Sequence, residues 1–164
     1  MRRVAALALS VTLGSLPQVA SAAACDWPAW DSYKKAMMSP DGRIIDRSSA
    51  QMITTSEGQS YGLFFALVGN DPNSFAKILA WTRNNLAGGD LDMHLPAWQW
   101  GRSKAGNWQI LDSNNASDAD LWIAYSLLEA GRLWQWPAYV AQGQNMLWRS
   151  AAQSLRKLPR LGVM

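Results

Sequence analysis

From Asp90 to Asn115 the chain carries almost no helical period, while the sequence on both sides of this stretch is patterned as helix. That interruption constrains the fold more than any other feature. A compact domain keeps a long irregular connection mainly where the connection carries function, and this one holds Trp98, Trp100 and Trp108. The flanking helices are marked by local chemistry. Trp27 to Met38 places apolar residues at mixed spacings of three and four, as a short helix requires. Ser39-Pro40-Asp41-Gly42 then signals a turn, and Arg43 to Asp46 a short extended piece. Thr54-Thr55-Ser56-Glu57 opens a helix reading to about Val68, with Ser56 as the expected N-cap and Gly69-Asn70 as the stop. Asp71-Pro72 supplies a cap and a first-turn proline for a helix to about Leu86. Ser117-Asp118-Ala119-Asp120 restarts helix to about Leu133, with Ser117 as the expected cap, and a last helix spans about Pro137 to Leu155. No strand-rich or βαβ pattern and no close internal repeat occurs. The pattern predicts a mostly α single domain; its rhythm of helix, turn, helix and long loop is that of an α/α toroid with the loops on one face.

The first residues read as an export signal. Arg2 and Arg3 precede an apolar run from Val4 to Leu16, and Val19 to Ala24 is a small-residue stretch with A-x-A cleavage forms ending at Ala22 and at Ala24. The expected organisation is a signal peptide at 1–24 and one domain at 25–164, periplasmic or secreted. The apolar run is too short to span a membrane. Cys25 is the sole cysteine, so no internal disulfide and no thiolate metal site can form. The residue three before it, Ala22, is not the large aliphatic that lipidation favours. A net charge of +3, partly in the leader and in Arg156, Lys157 and Arg160, leaves no basic stripe for nucleic acid. Ten tryptophans, several beside Gly, Asn, Asp and Gln, favour a groove that stacks sugar rings, although any single one also fits a helical core.

Two acidic sites stand out. Glu57 begins a helix among small and hydroxyl residues, with Gly58 and Gly62 permitting close approach. A first-turn glutamate that merely complements the helix dipole has the same local pattern. Asp118 and Asp120, at i and i+2, point in different directions from a helix, so one can face a cleft while the other caps, and plain N-terminal capping is the expected reading of an isolated S-D-A-D. Glycosidic cleavage needs two carboxyl groups across the scissile bond, and an acid at 57 meets one at 118 only through the fold. His94 is the only histidine, and no G-x-S-x-G, H-E-x-x-H or P-loop pattern occurs.

Ala116-Ser117-Asp118-Ala119-Asp120-Leu121-Trp122-Ile123-Ala124-Tyr125-Ser126-Leu127-Leu128-Glu129-Ala130-Gly131-Arg132-Leu133-Trp134 resembles the signature of glycoside hydrolase family 8. Thr55-Ser56-Glu57-Gly58-Gln59-Ser60-Tyr61-Gly62 resembles that family's proton-donor segment. Leu95 to Gly101 and Leu111 to Asn115 resemble the subgroup encoded with bacterial cellulose synthase. The resemblance implies an all-α (α/α)6 barrel that hydrolyses β-1,4-glucan with inversion and needs no cofactor or metal. It implies Glu57 as general acid and Asp118 as the residue that holds and distorts the sugar. Trp98 and Trp100 would be stacking platforms, and Tyr61 and Asp120 lesser contacts. It also implies an incomplete barrel here, with the catalytic base expected past Met164 and a partner for Cys25 in the same missing part. The cellulose synthase complex is the implied protein partner. A non-catalytic glucan-binding module, and a chain unable to close its barrel, are the competing expectations.

Overall fold

A computed structural model describes residues 26–155 and the pairs 157–158 and 162–163. The expected signal segment and Cys25 lie outside the described residues. Five helices are present among them: α1 (Pro28–Met37), α2 (Ser56–Val68), α3 (Pro72–Leu86), α4 (Ser117–Leu133) and α5 (Pro137–Ser154). The chain is mostly helical, and each helix falls close to its expected span. β1 (Thr54–Thr55), β2 (Gln99–Arg102) and β3 (Trp108–Asp112) form a three-stranded antiparallel sheet in the order β1-β2-β3. β4 (Lys157–Leu158) and β5 (Gly162–Val163) make a separate small pair.

The helix ends follow local chemistry, with two corrections. Asp71 caps α3 by accepting from Ser74 N at 3.0 Å, and Pro72 takes the first position, where a missing N–H costs nothing. At α2 the cap is Thr55 rather than Ser56: its Oγ1 accepts from Gly58 N at 3.1 Å. Thr55 still has extended backbone because it pairs in β1, so the strand-to-helix change falls one residue earlier than expected. At α4 the cap position is Ala116 and makes no side-chain bond. Ser117 is already helical, and its hydroxyl lies 3.2 Å from that of Ser154 in α5.

The stretch expected to be irregular contains β2 and β3. Ser103 N donates to Asn107 O and Gly106 N to Ser103 O, and Gly106 has φ 87°, so a glycine-closed turn joins two short strands rich in Trp. The signal was weak because the strands are short and their partner, β1, lies some fifty positions away in sequence.

The core sits between the helices. Leu63 and Ala66 of α2, Phe75 and Ile78 of α3, Ile123, Leu127 and Ala130 of α4, and Met146 of α5 are all fully buried. α2 packs against both α3 and α4, and α4 against α5. Ile44 joins this core from the segment before β1. Gly42 allows that segment to lie on α3: it has φ 97°, and a Cβ there would run into the backbone of Lys77.

Candidate active site

The β1–α2 junction places Glu57. Ser56 N donates to Trp98 O at 2.9 Å, and Trp98 N donates to Asn114 O, so the junction, the start of β2 and the end of β3 are stitched together. Below them Gln59 is fully buried. Its Oε1 accepts from Ile44 N at 2.6 Å, and its Nε2 donates to Thr82 Oγ1 at 2.8 Å. That amide fixes the first turn of α2 against α3, leaving Glu57 half-buried at the helix start. Trp98 Nε1 donates to Glu57 Oε1 at 2.9 Å. The indole therefore orients one carboxyl oxygen, and Trp98 itself stays partly exposed. Tyr61 lies one turn further along α2 on the same face and is exposed.

α4 brings the second acidic group. Asp118 is exposed and lines an open hollow of about 430 Å³ with Phe64, Leu121, Trp122 and Tyr125. Three of these share the face of α4 that carries Asp118, at i+3, i+4 and i+7. Asp120 points the other way, as i+2 spacing requires, and is fully buried. Asn115 Nδ2 donates to its Oδ2 at 2.7 Å, and its Oδ1 has no hydrogen-bond partner among the described residues. Burial pushes the Asp120 carboxyl up to about 6 against the pull of Asn115, and the charges of Asp118 and Glu57 push the same way. The fold thus brings Asp120 into electrostatic reach of both Glu57 and Asp118, with Trp98 against Glu57.

Trp100 occupies a different setting. It is half-buried, stacked on Trp108 at 5.2 Å and edge-on to Trp81 at 5.3 Å. The Arg43 guanidinium lies 4.4 Å from its centroid and 4.8 Å from that of Trp108. Arg43 is held by Thr54 Oγ1 at 2.8 Å and by Met52 O. Sequence reasoning passed over Gln59, Asn115, Arg43 and Trp108 as site residues. Gln59 and Asn115 lay inside the two motifs and were open to notice; Arg43 carried no signal, because its ring partners Trp81, Trp100 and Trp108 lie far along the chain. His94 is an exposed loop residue. Among the described residues no group of three or more His, Cys, Asp or Glu could hold a metal ion.

The family model for glycosyl hydrolases family 8 matches residues 5–164. An endoglucanase of Escherichia coli O157:H7 is 53% identical over 94% of this chain and 42% of its own length. An endoglucanase of Salmonella typhi is 52% identical over 91% of this chain and 40% of its own length. The crystal structure of an endo-1,4-D-glucanase from Vibrio fischeri ES114 superposes with a TM-score of 0.82 at 50% identity, covering 84% of this chain and 40% of that one. The chain therefore spans about two fifths of the length of the curated relatives it matches. With the family model matching nearly the whole sequence, the chain belongs to glycosyl hydrolases family 8.

Proposed function

We propose that this chain carries the acid-bearing part of an endo-β-1,4-glucanase that cleaves cellulose or a related glucan with inversion. One observation carries the reading: a glutamate at a helix start, oriented by the indole of Trp98 and in electrostatic reach of Asp120 on a second helix that also carries the exposed Asp118. Glu57 protonates the leaving glycosidic oxygen. Asp118, exposed beside an aromatic hollow, holds and distorts the sugar at the cleavage subsite. Inversion needs a separate carboxylate to activate water on the opposite face of the sugar, roughly 6.5–9.5 Å from the acid. That base is expected from a segment not contained in this sequence. The relatives named as endoglucanases support the activity.

The same reading completes the fold to an (α/α)6 barrel. Leu121, Leu133 and Trp148 are half or more exposed on α4 and α5. A groove of about 620 Å³ between these helices is lined by Leu121, Leu147, Trp148 and Leu155. Apolar surface of this kind is what a further helix would cover. Export by the segment at 1–24 would place the enzyme in the periplasm or outside the cell. There the subgroup resemblance makes nascent glucan and the cellulose synthase complex its partners.

The test is reducing-end release from carboxymethylcellulose by the chain, by its Glu57→Gln variant and by a form extended past Met164. Hydrolysis by the extended form that disappears with Glu57→Gln supports the proposal. Binding of cello-oligosaccharides with no new reducing ends from either form would assign a non-catalytic glucan-binding role instead.

A further inference from the structure

We propose that one face of the β1-β2-β3 sheet extends the site as a glucan-binding surface, with Trp108 as its outer stacking platform. The proposal rests on the glucan reading above and adds a ligand surface to it. Successive residues of a strand point to opposite faces of a sheet, and the register pairs Thr54 with Trp100, Trp100 with Ile110, and Arg102 with Trp108. Thr54, Trp100, Arg102, Trp108 and Ile110 therefore share a face, covered by Arg43 and Trp81 at its β1 end and open at β3, while Trp98, just before β2, reaches Glu57. The shift in register between Gln99 and Trp100 falls opposite the extra residue Leu111 on β3, so β2 keeps its alternation through the aromatic positions.

This face is built to hold a rigid ring. Trp100 and Trp108 stack with their planes 14° apart, and the Arg43 guanidinium lies against both. Arg43 is anchored in turn by Thr54 and Met52. Trp100 is consumed as the support, half-buried among Trp81, Trp108 and Arg43. Trp108 is the ring that support presents: it is 49% exposed, the most open indole on the sheet. A pyranose lays its C–H face on such a ring, and its equatorial hydroxyls reach polar side chains at the edge. Arg102, paired directly with Trp108 and exposed, stands at that edge. From Trp98 to the level of Trp108 the strand runs roughly 14 Å, the reach of a short oligosaccharide rather than of a single sugar.

The experiment is hydroxyl-radical footprinting of the full chain with and without cellohexaose, read at each tryptophan by mass spectrometry. Binding to Trp108→Ala and Trp108→Phe variants is measured alongside with cellobiose and cellohexaose. Protection of both Trp98 and Trp108 by cellohexaose is expected. Trp108→Ala should weaken cellohexaose about three- to tenfold, leave cellobiose unchanged, and be partly restored by phenylalanine. Protection at Trp98 with none at Trp108 would overturn the platform and leave the glucan reading standing. An equal loss for both ligands in Trp108→Ala would show disturbance of the stack alone and would also overturn it. No protection at any tryptophan and no binding would overturn the glucan reading itself.

Discussion

Asp120 and Asp71 show how two carboxyl groups of one small domain take opposite characters from their surroundings. At Asp71 burial alone would raise the carboxyl, but Ser74 N and Oγ, Lys34 and Trp30 all donate to it and bring it down to about 2. Its contribution to stability is therefore present above pH 4 and is lost as pH falls from 4 toward 2. Among the described residues Asp120 has one donor and no cation, and it lies at about 6. The unfolded chain gives up that proton first as pH rises from 4 to 6, so ionising Asp120 costs the folded state up to roughly 3 kcal/mol above pH 6. Asp120→Asn should remove this cost. Urea denaturation at pH 4 and pH 7 should show the variant gaining stability relative to wild type only at the higher pH. An equal change at both values would contradict the buried-acid account. The residue scale is also where sequence reading was strongest for identity and weakest for state. The S-D-A-D pattern marked both aspartates, while burial of one and exposure of the other depended on where α4 sits against α2.

At the scale of elements, the helices were legible because caps, turns and stops are short-range. Asp71-Pro72 and Gly69-Asn70 announce themselves within a few residues. The sheet was not legible, because Thr54 meets Trp100 across the chain and neither strand alone is long enough to signal itself. The cap at Thr55 has a measurable consequence. Thr55→Ala removes the bond to Gly58 N and should cost about 1 kcal/mol, because no other side chain caps α2. Ser117→Ala removes no cap and should change stability by less than about 0.5 kcal/mol. Thermal unfolding of the two variants separates these outcomes, and equal losses would argue against Thr55 as the cap. Gln59 links the same helix to α3 and to the segment holding Ile44. Gln59→Leu should cost more than Thr55→Ala, since it strips the buried Ile44 N of its acceptor.

The whole molecule is a helical assembly with a closed side and an open one. Leu63, Phe75, Ile78, Ile123 and Leu127 close the core between α2, α3 and α4. The open side is the groove along α4 and α5 lined by Leu121, Leu147 and Trp148, with Trp148 77% exposed. If further helices of a toroid cover that side, the chain ending at Met164 should bind the apolar dye ANS strongly, and a form extended past Met164 should not. Equal dye binding by both forms would count against a covering segment. The relation to longer relatives was readable from two motifs. The way those motifs meet was not, because Glu57 and Trp98 are 41 positions apart and touch only through the sheet.

The central claim is that Glu57 donates the proton, and the most direct measurement compares two leaving groups. A form of the protein that hydrolyses carboxymethylcellulose and its Glu57→Gln variant would be assayed on that polymer and on a dinitrophenyl cello-oligoside. The dinitrophenyl aglycone departs without protonation. The account predicts that Glu57→Gln lowers polymer hydrolysis by about 10²–10⁴-fold while hydrolysis of the dinitrophenyl substrate stays near wild type. Equal losses on both substrates would contradict a proton-donor role for Glu57.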